Sequence, residues 1–270
     1  MNKRENLKNG LLPHLNVFLT HGDLNGLLGF IRDNSNLPGP RANLELADVF
    51  AQVIADCTKI ERDLLWKLCG SLVQYSPEDA PVNSPQEFIP FCGAVGIGKL
   101  GSLSDGKYIE SLSELRRLSK DSRWRMREAV RMGLQSLLQE QPTETLQELQ
   151  NWILAKNPLE MRAAVAAVSE PELLQDEKIA ATAIQIHMEI FDQIHSFTNR
   201  KTEAFRTLRK TLGYTLSLVI VEIPEKGFEL LDELMGSQDA DLIWIAKNNL
   251  KKKRLIRMFP DQIRVRLGNI

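Results

Sequence analysis

The chain has 270 residues, 43% of them hydrophobic, which is ample for a continuous core. Its 34 Lys and Arg residues against 35 Asp and Glu residues give a formal net charge of -1, which excludes a global field drawing the protein to nucleic acid or membrane. Any recognition of a polyanion must therefore come from a local cluster.

The first 22 residues, MNKRENLKNGLLPHLNVFLTHG, begin with charge. Pro13, His14 and Asn16 interrupt the apolar run, and no small-residue cleavage site follows, so no signal peptide is read. Helices are expected around 23–33, 43–58, 61–75 and 86–99, where apolar residues recur at i, i+3, i+4 and i+7. Clusters such as NSNLPGP, SPEDAPVNSP, EQPTE, KNPLE and EIPEKG break the pattern and serve as connections. NLPGPRANLEL, residues 36–46, is an irregular stretch in which Arg41 with Asn43 either presents polar groups at a surface or belongs to a connection introducing a capped helix, and no chemistry is assigned to it. FIPFC and SLVIV look strand-like, but the second continues the helical spacing Leu208, Leu212, Leu216, Val219, Ile223.

Further along, first helices are expected at about 107–119, 143–155, 176–197 and 226–236. Each is followed by a turn carrying Asp121, Asn157, Asn199 or Asp239, residues suited to capping a helix start. The second helices align on MREAV at Met126, MRAAV at Met161, LRKTL at Leu208 and IWIAK at Ile243, at intervals of 35, 47 and 35 residues. Such intervals belong to two-helix solenoid repeats. The pattern covers residues 105–258; residues 1–104 fit as degenerate N-terminal repeats, and 259–270 as a polar cap or tail of one helical-repeat domain, 1–270.

On the residues DSRWRMREAVRMGL and DADLIWIAKNNL, with an acidic turn residue and a small Ala at the helix crossing, the chain resembles the HEAT-like (ARM/HEAT-type) helical repeat family. The resemblance implies an all-α fold, a right-handed α-α superhelix of stacked antiparallel helix pairs, with ligands on the surface of the second helices. More distantly, the repeat type, basic second helices and scattered Trp66, Trp124, Trp152 and Trp244 are similar to HEAT-like DNA glycosylases for alkylated bases. That likeness implies a carboxylate beside an aromatic residue; Asp121 near Trp124, and Asp239 or Asp241 near Trp244, are available, yet each equally caps a helix beside a packing residue.

At about 100 degrees per residue, one flank of each second helix is basic. Arg123, Arg127 and Arg131 lie there in the first, Arg162 in the second, Arg206 and Arg209 in the third, and Lys247, Lys251 and Arg254 in the fourth. The first helices are acidic, through Glu144 and Glu148, then Glu172, Asp176 and Glu177, then Glu225, Glu229, Asp232 and Glu233. Arg127, Arg162 and Arg209 occupy matching positions of an internal ladder with the acidic turn residues, or else bind ligand; Arg123, Arg131, Arg206, Lys247, Lys251 and Arg254 are the expected binding surface. Trp124 and Trp244 are candidates for stacking. The expected partner is a protein with an acidic segment, or duplex DNA.

Other motifs carry less. GAVGIGKL, Gly93 to Leu100, matches part of a phosphate loop, but Leu100 stands where a Ser or Thr would hold magnesium. Gly93, Gly96 and Gly98 are read instead as points of close helix approach or helix ending. His187 and His195 lie two turns apart with Phe191 between them, a poor metal spacing, and no metal or cofactor is expected. No Ser or Cys has a motif of an activated nucleophile, so no catalytic residue is assigned. The most apolar window, TLSLVIVEIP, is far shorter than the ~20 residues that span a bilayer, so a soluble chain without a membrane partner is expected. Cys57, Cys69 and Cys92 are odd in number and lack C-x-x-C spacing, which fits buried thiols in the cytoplasm.

Overall fold

The structure, a computed structural model, describes residues 2–103 and 106–268. The described residues form α-helices and short 3-10 turns, with no strand. In chain order the helices are α1 (Lys3–His21), α2 (Asn25–Asp33), α3 (Leu44–Ala55), α4 (Lys59–Leu72), α5 (Phe88–Ser102), α6 (Tyr108–Leu118), α7 (Trp124–Glu140) and α8 (Pro142–Leu154). They continue with α9 (Pro158–Val168), α10 (Glu177–Gln193), α11 (Glu203–Glu222), α12 (Pro224–Gly236), α13 (Ala240–Leu250), α14 (Lys253–Met258) and α15 (Pro260–Gly268). No helix is long and apolar enough to cross a membrane.

The chain divides into two compact units, one up to Glu140 and one from Gln141 onward. The sequence boundary at 104/105 falls on residues outside those described. Across it, α6 and α7, which the sequence pattern groups with the later repeats, pack on α5 of the first unit.

In the first unit α5 is the central helix, with α2, α3, α4, α6 and α7 against it. FIPFC, strand-like in sequence, is its first turns, and the GAVGIGKL run lies wholly inside it. A helix interior leaves no strand–loop–helix in which to cradle a phosphate. The glycines serve packing instead: a Cβ on Gly98 would overlap the backbone of Gly133 in α7, and one on Gly101 would overlap the Ser111 side chain in α6. Backbones this close exclude any side chain larger than hydrogen.

The sequence pattern did not reveal α1. Asn2 caps its start, Leu7, Leu11, Leu15 and Phe18 form its buried stripe, and Gly22 ends it at a φ of 73° with its N–H on the Phe18 carbonyl. Pro13 sits within the helix, which is why the apolar run reads as interrupted.

In the second unit, α8 packs on α9, α10 on α11 and α12 on α13. The second helices α9, α11 and α13 lie side by side, while α8, α10 and α12 form the other layer. Asn157 and Asp239 cap α9 and α13 with side-chain oxygens. At α11 the cap is Thr202 rather than Asn199, whose side chain accepts from Lys201 N–H one turn earlier. Asn249 stitches α13 to α11, donating to the Leu212 carbonyl at 2.8 Å and accepting from Ser217 N–H at 2.8 Å. After α13 the basic tail forms α14 and α15; Phe259, between them, is edge-on to Phe228 of α12, and Arg266 of α15 pairs with Asp232 of α12.

Candidate functional site

The basic flank read from sequence separates into buried and exposed groups. In the first unit Arg123 is not a surface ligand group: it is 2% exposed, and its guanidinium grips both oxygens of Asp121 at 3.0 and 2.7 Å. Its remaining Nη1 donates to the carbonyls of Tyr75, Ser76 and Ala80. Arg127, also buried, donates to the carbonyls of Asp121 and Ser122 at 2.9 and 3.1 Å. Arg127 thus reaches the acidic turn at backbone oxygens, and the Asp121 carboxylate accepts from Arg123. Arg131 is half-buried and bonded to Glu128 and Gln135.

One residue of this segment that the flank pattern passed over is Arg125. It is buried, paired with the fully buried Glu87 at 3.0 Å, and donates to Gly39 O at 2.7 Å and Asn83 Oδ1 at 3.2 Å. Its guanidinium lies 4.4 Å from the centre of the Trp124 ring, which is 45% exposed. Glu87 in turn accepts from Asn83 N–H at 2.7 Å. Three segments distant in sequence are thereby joined at one point. The sequence signals were a Pro-Gly-Pro loop, a second Pro-rich loop and an Arg off the common flank, and nothing local links them.

In the second unit Arg162 is buried on α9. Arg209 lies over the Trp244 ring at 4.1 Å and pairs with Asp241 at 2.9 Å. Gly213, one turn on, has no room for a Cβ against the same ring. Trp244 is therefore a packing partner of α11, half-buried under an arginine. Arg200 bridges Asp239 and Asp241, and exposed His195 reaches Asp239 as well. Burial opposes ionisation of Asp239, but the Arg200 hydrogen bond and the α13 amides outweigh it and hold the carboxyl below its ordinary range.

The remaining cations face solvent. Arg206 and Lys210 on α11 and Lys251 after α13 are exposed, and Lys247 is half-buried; none of the four side chains has a hydrogen-bond or ion-pair partner among the described residues. Arg254 is half-buried, bonding Tyr214 O at 3.3 Å and Ser217 Oγ at 2.8 Å, which brings α14 onto α11. Burial, and then the Arg254 charge, push the Lys252 ammonium below its ordinary value. The Lys252 and Arg254 charges thus lie close enough to repel. The opposite layer is acidic: Glu225, Glu229, Asp232 and Glu233 of α12 border an open cavity of about 710 Å³ closed at one side by Arg266.

His187 is buried, its Nδ1 2.7 Å from the Ala183 carbonyl and its Nε2 2.9 Å from the Thr215 hydroxyl. Among the described residues no three His, Cys, Asp or Glu side chains are grouped to hold a metal ion. Comparison with family models, with curated proteins and with solved structures gives no match.

Proposed function

We propose that the protein is a noncatalytic binding module of the HEAT-like class, a right-handed superhelix of antiparallel helix pairs working in the cytoplasm. Its second-unit face, carrying Arg206, Lys210, Lys247 and Lys251, binds an acidic segment of a protein partner. The observation that carries this reading is that these four cations have no internal partner among the described residues, whereas Arg123, Arg200 and Arg209 are each paired with an aspartate. Groups held by internal pairs fix the helices; groups left in water are available to an anion. The layered packing of α8–α13 and the free thiols support the repeat class and the compartment.

A glycosylase would need a carboxylate available beside an exposed aromatic ring. Asp121, Asp239 and Asp241 are all engaged by arginines, so the noncatalytic reading is the better supported. A duplex backbone is the other polyanion such a face suits. The distinguishing experiment is a fluorescence titration with a labelled poly-glutamate peptide and, separately, with a DNA duplex over a range of salt. Saturable peptide binding that weakens with salt is expected; absence of binding to both at low salt sinks the proposal.

A further inference from the structure

The first unit carries a cavity of about 350 Å³ whose walls include Arg41, Leu44, Phe91, Trp124, Arg125 and Glu128. It belongs to no part of the basic face. Its volume lies in the range of small-ligand sites, roughly 300–1,000 Å³, and aromatic and aliphatic groups dominate its walls. Trp124 and Leu44, each 45% exposed, stand at it as large apolar groups that helix packing leaves uncovered.

The support behind this cavity exceeds what helix packing requires. Glu87 and Arg125 are a charge pair with 0% and 4% side-chain exposure, an arrangement whose desolvation a pair of apolar residues would avoid. Buried Glu87 Oε1 and Arg125 Nε have no hydrogen-bond partner, a departure from the usual satisfaction of buried polar atoms. Asn36 and Asn83, in the two loops joined by the pair, hold positive φ values of 60° and 66°. Gly39 N–H donates to Asn83 Oδ1 at 2.9 Å, and Asn43 N–H to the Ser35 carbonyl at 2.9 Å, so the loop bearing Arg41 is tied at both ends. Strained, tied loops over a buried ion pair are a rigid mount, and rigidity ahead of binding is what a ligand site gains from.

Charge decides the ligand class. Arg125 is balanced by Glu87, and Glu128 accepts from Arg131, whereas Arg41 is exposed with no side-chain partner. The cavity therefore has a mainly apolar lining and one unbalanced cation. We propose that it binds a small planar aromatic molecule bearing one anionic group, the ring against Trp124 and Leu44 and the anion toward Arg41.

Isothermal titration calorimetry with 2-naphthoate, with neutral 2-naphthalenemethanol and with inorganic phosphate tests this on the full chain. One 2-naphthoate per chain is expected, with weaker alcohol binding and no competition by phosphate. Trp124→Ala should weaken both aromatic probes by about tenfold, and Trp124→Phe should recover much of that loss. Arg41→Gln, a change at an exposed side chain, should weaken 2-naphthoate by roughly fivefold and leave the alcohol unchanged. No saturable binding of either probe overturns the proposal, as does binding insensitive to both positions; equal affinity for acid and alcohol overturns the anionic requirement.

Discussion

Arg123 and Asp121 form a bidentate pair just ahead of α7, with Nε and Nη2 on the two carboxylate oxygens at 3.0 and 2.7 Å. The arginine is buried and also satisfies the carbonyls of Tyr75, Ser76 and Ala80, so it ties the loop after α4 to the start of α7. Removing it takes the guanidinium donors from Asp121 and from the three carbonyls; Asp121 Oδ1 keeps the backbone N–H of Arg123 and the Ser76 carbonyl keeps the Ala80 N–H. Arg123→Ala should destabilise the protein by about 3–5 kcal/mol, read from the urea midpoint. Peptide affinity under folding conditions should stay unchanged, because Arg123 does not reach the exposed face.

Gly98 of α5 crosses Gly133 of α7 with no space for a methyl group. Gly98→Ala removes a flexible residue from a helix, which in open space would stabilise by roughly 0.4–1 kcal/mol. Here overlap with backbone dominates, and a net loss of about 1–3 kcal/mol is expected. Thermal melts of Gly98→Ala beside Gly70→Ala, where a Cβ meets nothing, separate the two effects.

Much of the helix layout is legible in sequence, because a 3.6-residue apolar period bounded by Pro or a capping side chain is a local signal. The stretch 143–155 is α8 (Pro142–Leu154), and 107–119 is α6 (Tyr108–Leu118). The sorting of charges is less local. Arg123 shares an angular flank with Arg127 and Arg131 only if all three are helical, and α7 begins at Trp124, so the angle does not apply to it. Arg125 meets Glu87 across 38 residues and Gly39 across 86. No spacing rule predicts such a convergence of two loops and a helix. Arg209 and Trp244 sit in adjacent helices of one repeat layer, yet their contact too joins residues 35 positions apart whose sequence patterns point to separate roles, Arg209 as a ladder or binding residue and Trp244 as a stacking candidate.

Burial lowers the His187 pKa from 6.5 to about 4, against the pull of the Ala183 carbonyl. The folded state holds this imidazole neutral, whereas the unfolded chain protonates it near pH 6.5. Its contribution is fully present above pH 6.5 and is lost as pH falls from there toward 4, by roughly 3 kcal/mol in total. Urea midpoints at pH 7.5 and pH 4.5, taken for wild type and His187→Gln, check this: the variant should lose a substantial part of the acid sensitivity of the wild type.

The thiols should differ in reactivity. Burial pushes Cys69 up to about 12 and Cys92 well above its ordinary value, and both are enclosed. Cys57 is half-buried, its thiol raised by burial and then by Glu61 and Asp56, so it reacts slowly but first. Mass spectrometry after iodoacetamide treatment of native protein should find the label on Cys57 before Cys69 or Cys92; early labelling of Cys69 would contradict the buried α4–α5 contact.

The central claim is that the exposed cations of the second unit, and not the buried arginines, receive an acidic partner. The most direct measurement is the affinity of a labelled poly-glutamate peptide for wild type and for the Arg206→Glu/Lys251→Glu variant at one fixed low salt, with circular dichroism showing both folded. The account predicts an affinity loss of about tenfold or more in the variant, a difference that shrinks as salt is raised. Equal affinity of the two folded proteins would contradict it.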